Sequence, residues 1–264
     1  MKNMDQKQKN KYVRVITLFT IVFICMGFIL LNQLGKERST MKEVEEGSEP
    51  AMTIEPYVKA EATPESVSGT LEPVVLTKYN KLLEKNQDVV GMITIPDTKI
   101  SSYPVLIGEN NEYYLKYDIN KKASKYGCIF VDYLYGKENI GREFQRHTMI
   151  YGHNMKNNSM FGQVADYKDK EFFDSHGYIY FDNLYETGKW KVFSVYVVDA
   201  DKETINRTYE TDEEYLEFLI KVKQRSKFDV DVSLTAKDEV ITLCTCSYET
   251  DNSRTIVHAV RVDE

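Results

Sequence analysis

At 264 residues, with 42% hydrophobic and 28% charged residues, the chain is long enough for one or two domains with a substantial core. Its net charge of −7 excludes nucleic acid as the main partner, because phosphate binding needs a basic surface. The four cysteines, Cys25, Cys128, Cys244 and Cys246, exclude a disulfide scaffold: Cys25 lies in an apolar N-terminal segment, and Cys244 and Cys246 are too close together for an easy bridge.

The N-terminus carries the localisation signal. Lys2, Lys7, Lys9, Lys11 and Arg14 precede an apolar run from Val15 to Leu31, and the residues after it soon turn acidic. The run is near the lower end of what spans a bilayer. The positive-inside rule leaves residues 1–14 in the cytoplasm, makes 15–34 a single-pass anchor in membrane lipid and places the rest of the chain outside the cell. A cleaved signal peptide is the competing reading. Against it, Asn32-Gln33-Leu34-Gly35-Lys36 offers no small-x-small cleavage site and no lipobox surrounds Cys25. Residues 35–73 read as a tether, with four of the six prolines (Pro50, Pro56, Pro64, Pro73), many Glu, Ser and Thr, and no apolar periodicity.

From Val74 to Glu264 the pattern is that of a folded domain. Val74 to Leu83 has apolar residues at helical spacing and predicts a helix. Short β-branched or aromatic runs separated by Gly, Pro, Asn and Asp predict strands at Val90–Ile95, Tyr103–Ile107, Cys128–Val131, Thr148–Tyr151, Tyr178–Phe181, Trp190–Val198, Val240–Cys246 and Thr255–Val262. Shorter helical pieces are expected near Asn111–Lys116 and Ser159–Tyr167. Thr211-Asp212-Glu213-Glu214 is a capping box, followed by Tyr215, Phe218, Leu219 and Val222 at the spacing of one apolar helix face. Eight short strands and few helices point to a mainly β domain, a closed or nearly closed barrel or a sandwich.

The chemistry concentrates at the end of the seventh strand. In Ile241-Thr242-Leu243-Cys244-Thr245-Cys246, a thiol at a strand end beside a polar loop has both access and a rigid mount. Cys246 is then either a nucleophile, given a positive neighbour, or a small buried hydrophobe. Cys244, two residues earlier, shares its strand face. It is a packing residue, a redox partner of Cys246 or half of a metal site, and packing is the default because no Cys-x-x-Cys or His-x-x-x-His accompanies it. Of the four histidines, His153 follows Ile150-Tyr151-Gly152, where the glycine permits a turn that projects the ring over a sheet edge. His147 is expected to be solvated, His176 to sit in a turn and His258 to be a hydrogen-bonded sheet residue. Arg254 opens the next strand, where antiparallel pairing would bring its guanidinium near Cys246 to hold a carbonyl or an oxyanion.

Together, Thr242-Leu243-Cys244-Thr245-Cys246, the upstream His153 and the downstream Arg254 resemble the Thr-Leu-x-Thr-Cys, His and Arg pattern of the sortases, cysteine transpeptidases of Gram-positive cell surfaces. Asp88-Val89-Val90-Gly91-Met92-Ile93, Tyr103-Pro104-Val105, Asn111-Glu112-Tyr113-Tyr114-Leu115, Gly127-Cys128-Ile129-Phe130-Val131-Asp132 and Ile150-Tyr151-Gly152-His153-Asn154-Met155 look like class B sequence, as does the capped helix before the Cys246 strand. The resemblance implies an eight-stranded β-barrel behind an uncleaved membrane anchor. It also implies a thiol-peptidase chemistry that needs no metal or cofactor. Cys246 would cleave the sorting motif of a secreted protein after Thr through a thioacyl-enzyme, with His153 as general acid and base and Arg254 on the oxyanion. The acyl group would pass to an amine of the cell-wall peptidoglycan precursor. Asn111 and Leu115 resemble groove-lining positions of the class, and Cys244 and Thr245 are further candidate substrate contacts. Cys244 stands where the class often has Ser, and no Asp-Pro occurs, so the lid of many pilus-building sortases is absent. A pilin-polymerising sortase, a thiol redox protein and a non-catalytic surface module are the alternatives.

Overall fold

The computed structural model describes residues 74–136, 139, 141, 144–205, 208–246 and 252–262. The expected cytoplasmic segment, anchor and tether (1–73) lie outside the described residues, among which no helix is long and apolar enough to cross a membrane. Eight strands form one closed barrel: β1 (Val89–Thr94), β2 (Tyr103–Ile107), β3 (Ile129–Val131), β4 (His147–Tyr151), β5 (Tyr178–Asn183), β6 (Lys189–Asp199), β7 (Val240–Cys246) and β8 (Ser253–Val262). They are ordered β1-β2-β3-β4-β7-β8-β6-β5, with β5 pairing back onto β1. Closure leaves no unpaired sheet edge. Two pairs are parallel, β2 with β3 and β4 with β7, and the remaining pairs are antiparallel. The expectation of eight strands in a barrel is met, with ends that differ by one or two residues.

The β-branched and aromatic residues that predicted strands are the ones the barrel buries, among them Ile93, Phe130, Phe181, Trp190 and Phe193. Outside the sheet, the helices are α1 (Asn80–Lys85), α2 (Tyr113–Lys116), α3 (Lys170–Ser175) and α4 (Asp212–Gln224). Helix α4 starts where the capping box placed it. The Thr211 hydroxyl accepts from the Glu214 amide at 3.1 Å, but the Glu214 carboxylate reaches one residue further back, to the Glu210 amide, rather than to Thr211 itself. Tyr215, Leu219 and Val222 of α4 are buried in one apolar cluster with Tyr196 and Val198 of β6 and Ile256 and Val260 of β8. Each such buried side chain contributes roughly 1.5–3 kcal/mol relative to exposure, enough to lock a helix this short onto the sheet.

The expected helix over 74–83 is corrected. The segment instead opens with a 3-10 turn, Thr77–Tyr79, and turns α-helical over Asn80–Lys85. Tyr79 is fully buried, and Lys78 pairs with Asp182, so tertiary contacts set the start. The expected helix near 159–167 is a 3-10 segment, Gly162–Lys168, followed by the short α3 that the sequence did not announce, capped by Asp169.

Candidate active site

Strand register brings the three candidate residues to one end of the barrel. Strands β4 and β7 run parallel with Tyr151 opposite Cys244, so Gly152-His153 and Thr245-Cys246 leave the sheet in the same direction. Strand β8 runs the other way, and its second residue, Arg254, lies directly opposite Cys246. The chain ends of two strands and the start of a third therefore converge, and Cys246, His153 and Arg254 are all partly exposed there.

Three hydrogen bonds join the His153 segment to the Cys246 strand beyond the regular ladder. The Gly152 amide donates to the Cys244 carbonyl at 3.3 Å. The Thr245 hydroxyl donates to the Gly152 carbonyl at 2.8 Å, and Asn154 Nδ2 donates to the Cys246 carbonyl at 2.8 Å. Gly152 is required by a close approach, since a Cβ there would sit 2.7 Å from the Phe161 ring. The Phe161 amide in turn donates to the His153 carbonyl at 2.9 Å. Within the loop that this bond closes, Asn158 and Met160 adopt left-handed backbone, and Met160 pairs across the loop with Asn154. Such strain persists only where the surroundings hold it.

His153 Nε2 lies 2.8 Å from the Leu115 carbonyl oxygen. A carbonyl only accepts, so this contact assigns the proton to Nε2 and leaves Nδ1 as the nitrogen without a partner among the described residues. The orienting bond and the available nitrogen are what a general acid or base needs. Arg254 donates from Nη1 to the Ser253 carbonyl at 3.0 Å. Among the described residues the guanidinium forms no ion pair, which leaves other N–H groups for a ligand.

The remaining sequence candidates divide. Cys244 is on the Cys246 face, packs against the α4 cluster, and has its thiol pushed up to about 12 by burial, against the opposing pull of Arg254. Thr245 is 2% exposed and spends its hydroxyl on Gly152. Asn111 is half-buried with both ends of its amide engaged: Nδ2 donates to Asp132 Oδ2 at 3.0 Å and Oδ1 accepts from the Tyr133 amide at 3.0 Å. Leu115 is half-buried and meets His153 through its backbone. Sequence reasoning did not single out Asn154 or Asp132 as site residues, although both stand inside motifs it quoted. His147 is corrected: it is 3% exposed, bonded by Nε2 to Thr242 Oγ1 at 2.7 Å and by Nδ1 to the Tyr209 hydroxyl at 3.0 Å. His258 is a buried, hydrogen-bonded sheet residue as expected.

Comparison with known proteins gives a consistent result. Residues 93–262 match the family model for the sortase domain. A sortase B of Listeria monocytogenes is 33% identical over 199 residues, covering 75% of this chain and 79% of its own. A crystal structure from Bacillus anthracis, described as similar to sortase B, superposes with a TM-score of 0.70 at 34% identity, covering 87% of this chain and 97% of that one. A Staphylococcus aureus sortase B–substrate complex superposes with a TM-score of 0.65 at 34% identity, covering 72% of this chain and 86% of that one.

Proposed function

This chain belongs to the class B sortases, cysteine transpeptidases, and on that premise we propose that Cys246, His153 and Arg254 carry its reaction at the extracytoplasmic face of a cell membrane. Cys246 attacks the carbonyl after the Thr of a sorting motif in a secreted protein. The tetrahedral oxyanion is held by Arg254, whose fixed charge suits a developing negative oxygen. His153 takes the thiol proton of Cys246 on Nδ1 and gives it to the departing amine as the peptide C–N bond breaks, leaving a thioacyl-enzyme. It then takes a proton from the incoming amine of a peptidoglycan precursor and returns it to the released thiolate. The segment 15–34 anchors the enzyme in the bilayer with 1–14 in the cytoplasm, and 35–73 holds the barrel off the surface. Asn111, Leu115, Cys244 and Thr245 belong to the groove or to its support.

The observation that supports this reading is the register of β7 on β8, which pairs Arg254 directly with the thiol-bearing residue Cys246. The test is the full chain in detergent with a panel of fluorogenic sorting-motif peptides that have Thr at the cleavage position. Cys246→Ala abolishes cleavage, and wild-type enzyme halted before amine addition carries a peptide mass on Cys246. Cleavage by Cys246→Ala at the wild-type rate would remove the nucleophile assignment. Arg254→Ala is expected to lose about 100-fold in kcat/KM, and wild-type activity there would remove its role.

A further inference from the structure

Asp132, the residue after β3, is fully buried and is the joint between the two segments that fix His153. Its Oδ2 accepts from Asn111 Nδ2 at 3.0 Å and from the Tyr151 hydroxyl at 2.9 Å, while Oδ1 accepts from the Leu134 amide at 3.1 Å. Its own amide donates to the Met149 carbonyl of β4 at 3.1 Å. Tyr151 ends β4, two residues before His153. Asn111 leads into α2, whose Leu115 carbonyl accepts from His153 Nε2. One carboxylate oxygen thus ties the strand that carries the imidazole to the turn that carries its acceptor.

That turn is built to hold the carbonyl still. Asn110 Oδ1 caps the turn, accepting from the Glu112 and Tyr113 amides at 2.9 Å. The Tyr114 hydroxyl donates to Asp88 at 2.7 Å and accepts from Asn86 at 3.0 Å, and the Tyr114 carbonyl accepts from the Cys128 amide at 2.7 Å. Gly127, at φ +57°, packs so closely that a Cβ would lie 2.3 Å from the Tyr114 carbonyl and 3.0 Å from that of Leu115. A single turn of four residues cannot hold itself. Its position comes from these outside bonds, and the Asp132–Asn111 bond continues through the Tyr151 hydroxyl to the His153 strand.

We propose that Asp132 is a positioning residue for the transfer reaction: by holding Asn111 and Tyr151 together it sets the Leu115 carbonyl against His153 and so keeps the imidazole in its Nε2–H tautomer with Nδ1 available to the chemistry. The inference rests on the role given to His153 above. A carboxylate is needed because Asn111, Tyr151 and the Leu134 amide all donate to it. Asparagine at this position keeps the shape but replaces one acceptor oxygen with a donor, so at least one partner is lost in either amide orientation.

With only four histidines in the chain, selective imidazole 15N labelling of the full-length enzyme in detergent resolves each ring, and His153 is assigned by its loss in His153→Gln. Wild type shows the Nε2–H tautomer at His153. Asp132→Asn shows admixture of the Nδ1–H form, and kcat falls between about tenfold and a hundredfold, the scale of a small misplacement of a reacting group, with KM within twofold. Tyr151→Phe, which removes one hydroxyl, shows the same changes in smaller measure, and its milder perturbation decides the matter if Asp132→Asn does not fold. A folded Asp132→Asn, or failing that Tyr151→Phe, with the wild-type tautomer and wild-type kcat overturns the proposal, as does a loss confined to KM. Wild-type activity in His153→Ala would instead overturn the catalytic reading, whereas the tautomer would still report whether Asp132 positions the ring.

Discussion

The same three strands carry two polar clusters, one at each end, and the two treat histidine in opposite ways. At the end covered by α4, Tyr209, His147, Thr242, His258 and Tyr196 form one hydrogen-bonded chain, with steps of 3.0, 2.7, 2.7 and 2.8 Å. The Phe218 ring of α4 lies against both imidazoles. Both nitrogens of His147 and both of His258 are engaged. Four residues along each strand, Thr242 gives way to Cys246 and His258 to Arg254. At that end His153 has one nitrogen anchored and one unengaged. Strand position and residue type do not separate a structural from a chemical histidine here; whether the second ring nitrogen already has a partner does.

Exchanging the demands on the two ends breaks the comparison most strongly. His153→Ala is expected to lower kcat/KM for sorting-motif peptides by 10²–10⁴, the usual worth of a positioned acid or base. Its melting temperature should stay within a degree or two, because the ring gives up only one bond to a backbone carbonyl. An equal loss of stability would place His153 with the buried pair. Thr242→Val is the counterpart at the closed end. Its hydroxyl is hydrogen-bonded to both buried rings, and the isosteric valine takes that bond from a nitrogen on each. The cost is roughly 2–4 kcal/mol by denaturant unfolding, with kcat of the folded fraction unchanged.

Acid sharpens the contrast further. Burial first, then the neighbouring His147 and Arg225, hold the His258 imidazole well below its ordinary 6.5. The unfolded chain therefore takes up a proton that the folded one refuses, so the stability associated with neutral His258 is complete above pH 6.5 and drains away as pH falls below it. Melting temperatures measured from pH 7.5 to 5 should fall in wild type. In His258→Gln the fall should be shallower from a lower starting point, and an equal slope in both would remove His258 as the source.

What the sequence showed and what it hid follow from the range of the interactions involved. Eight strands were legible because alternating β-branched and aromatic residues are a local signal, and α4 was legible from Thr211 and its apolar face. The Cys246–Arg254 neighbourhood was legible because the two strands are close in sequence and pair antiparallel. His147 was misjudged because its partners, Thr242 and Tyr209, arrive from far along the chain. Asp132 was overlooked for the same reason: next to Val131 and Tyr133 it is an ordinary turn residue, and only the antiparallel pairing of β3 with β4 and the fold of α2 bring Tyr151 and Asn111 to it. The short helical piece expected near 111–116 is met by α2, whereas the 3-10 segment at Gly162–Lys168 and the short α3 were not legible because their placement depends on bonds from elsewhere and not on their own propensity.

Cys244 tests the boundary between the two ends, since it sits between Thr242 and Cys246 on the same face. If it belongs with the closed end, it is a packing residue and its thiol is inert. Burial pushes that thiol up to about 12 despite Arg254 nearby, so the thiolate, which is the reactive form, is scarce at pH 8. Brief iodoacetamide treatment of the native chain at pH 8, read by peptide mass spectrometry, should leave Cys244 and the deeply buried Cys128 unmodified, and both should react once the chain is unfolded. Cys244→Ser is expected to cost about 1 kcal/mol for burying a hydroxyl in an apolar neighbourhood and to keep kcat/KM within twofold. Alkylation of native Cys244 at a rate near that of Cys246, or a Cys244–Cys246 disulfide formed under peroxide in the folded enzyme, would move it to the open end and make it a redox partner of the nucleophile. The same closing of α4 over the sheet that silences His147 and His258 then has to stop one residue pair earlier than Tyr196 and Ile256 now place it.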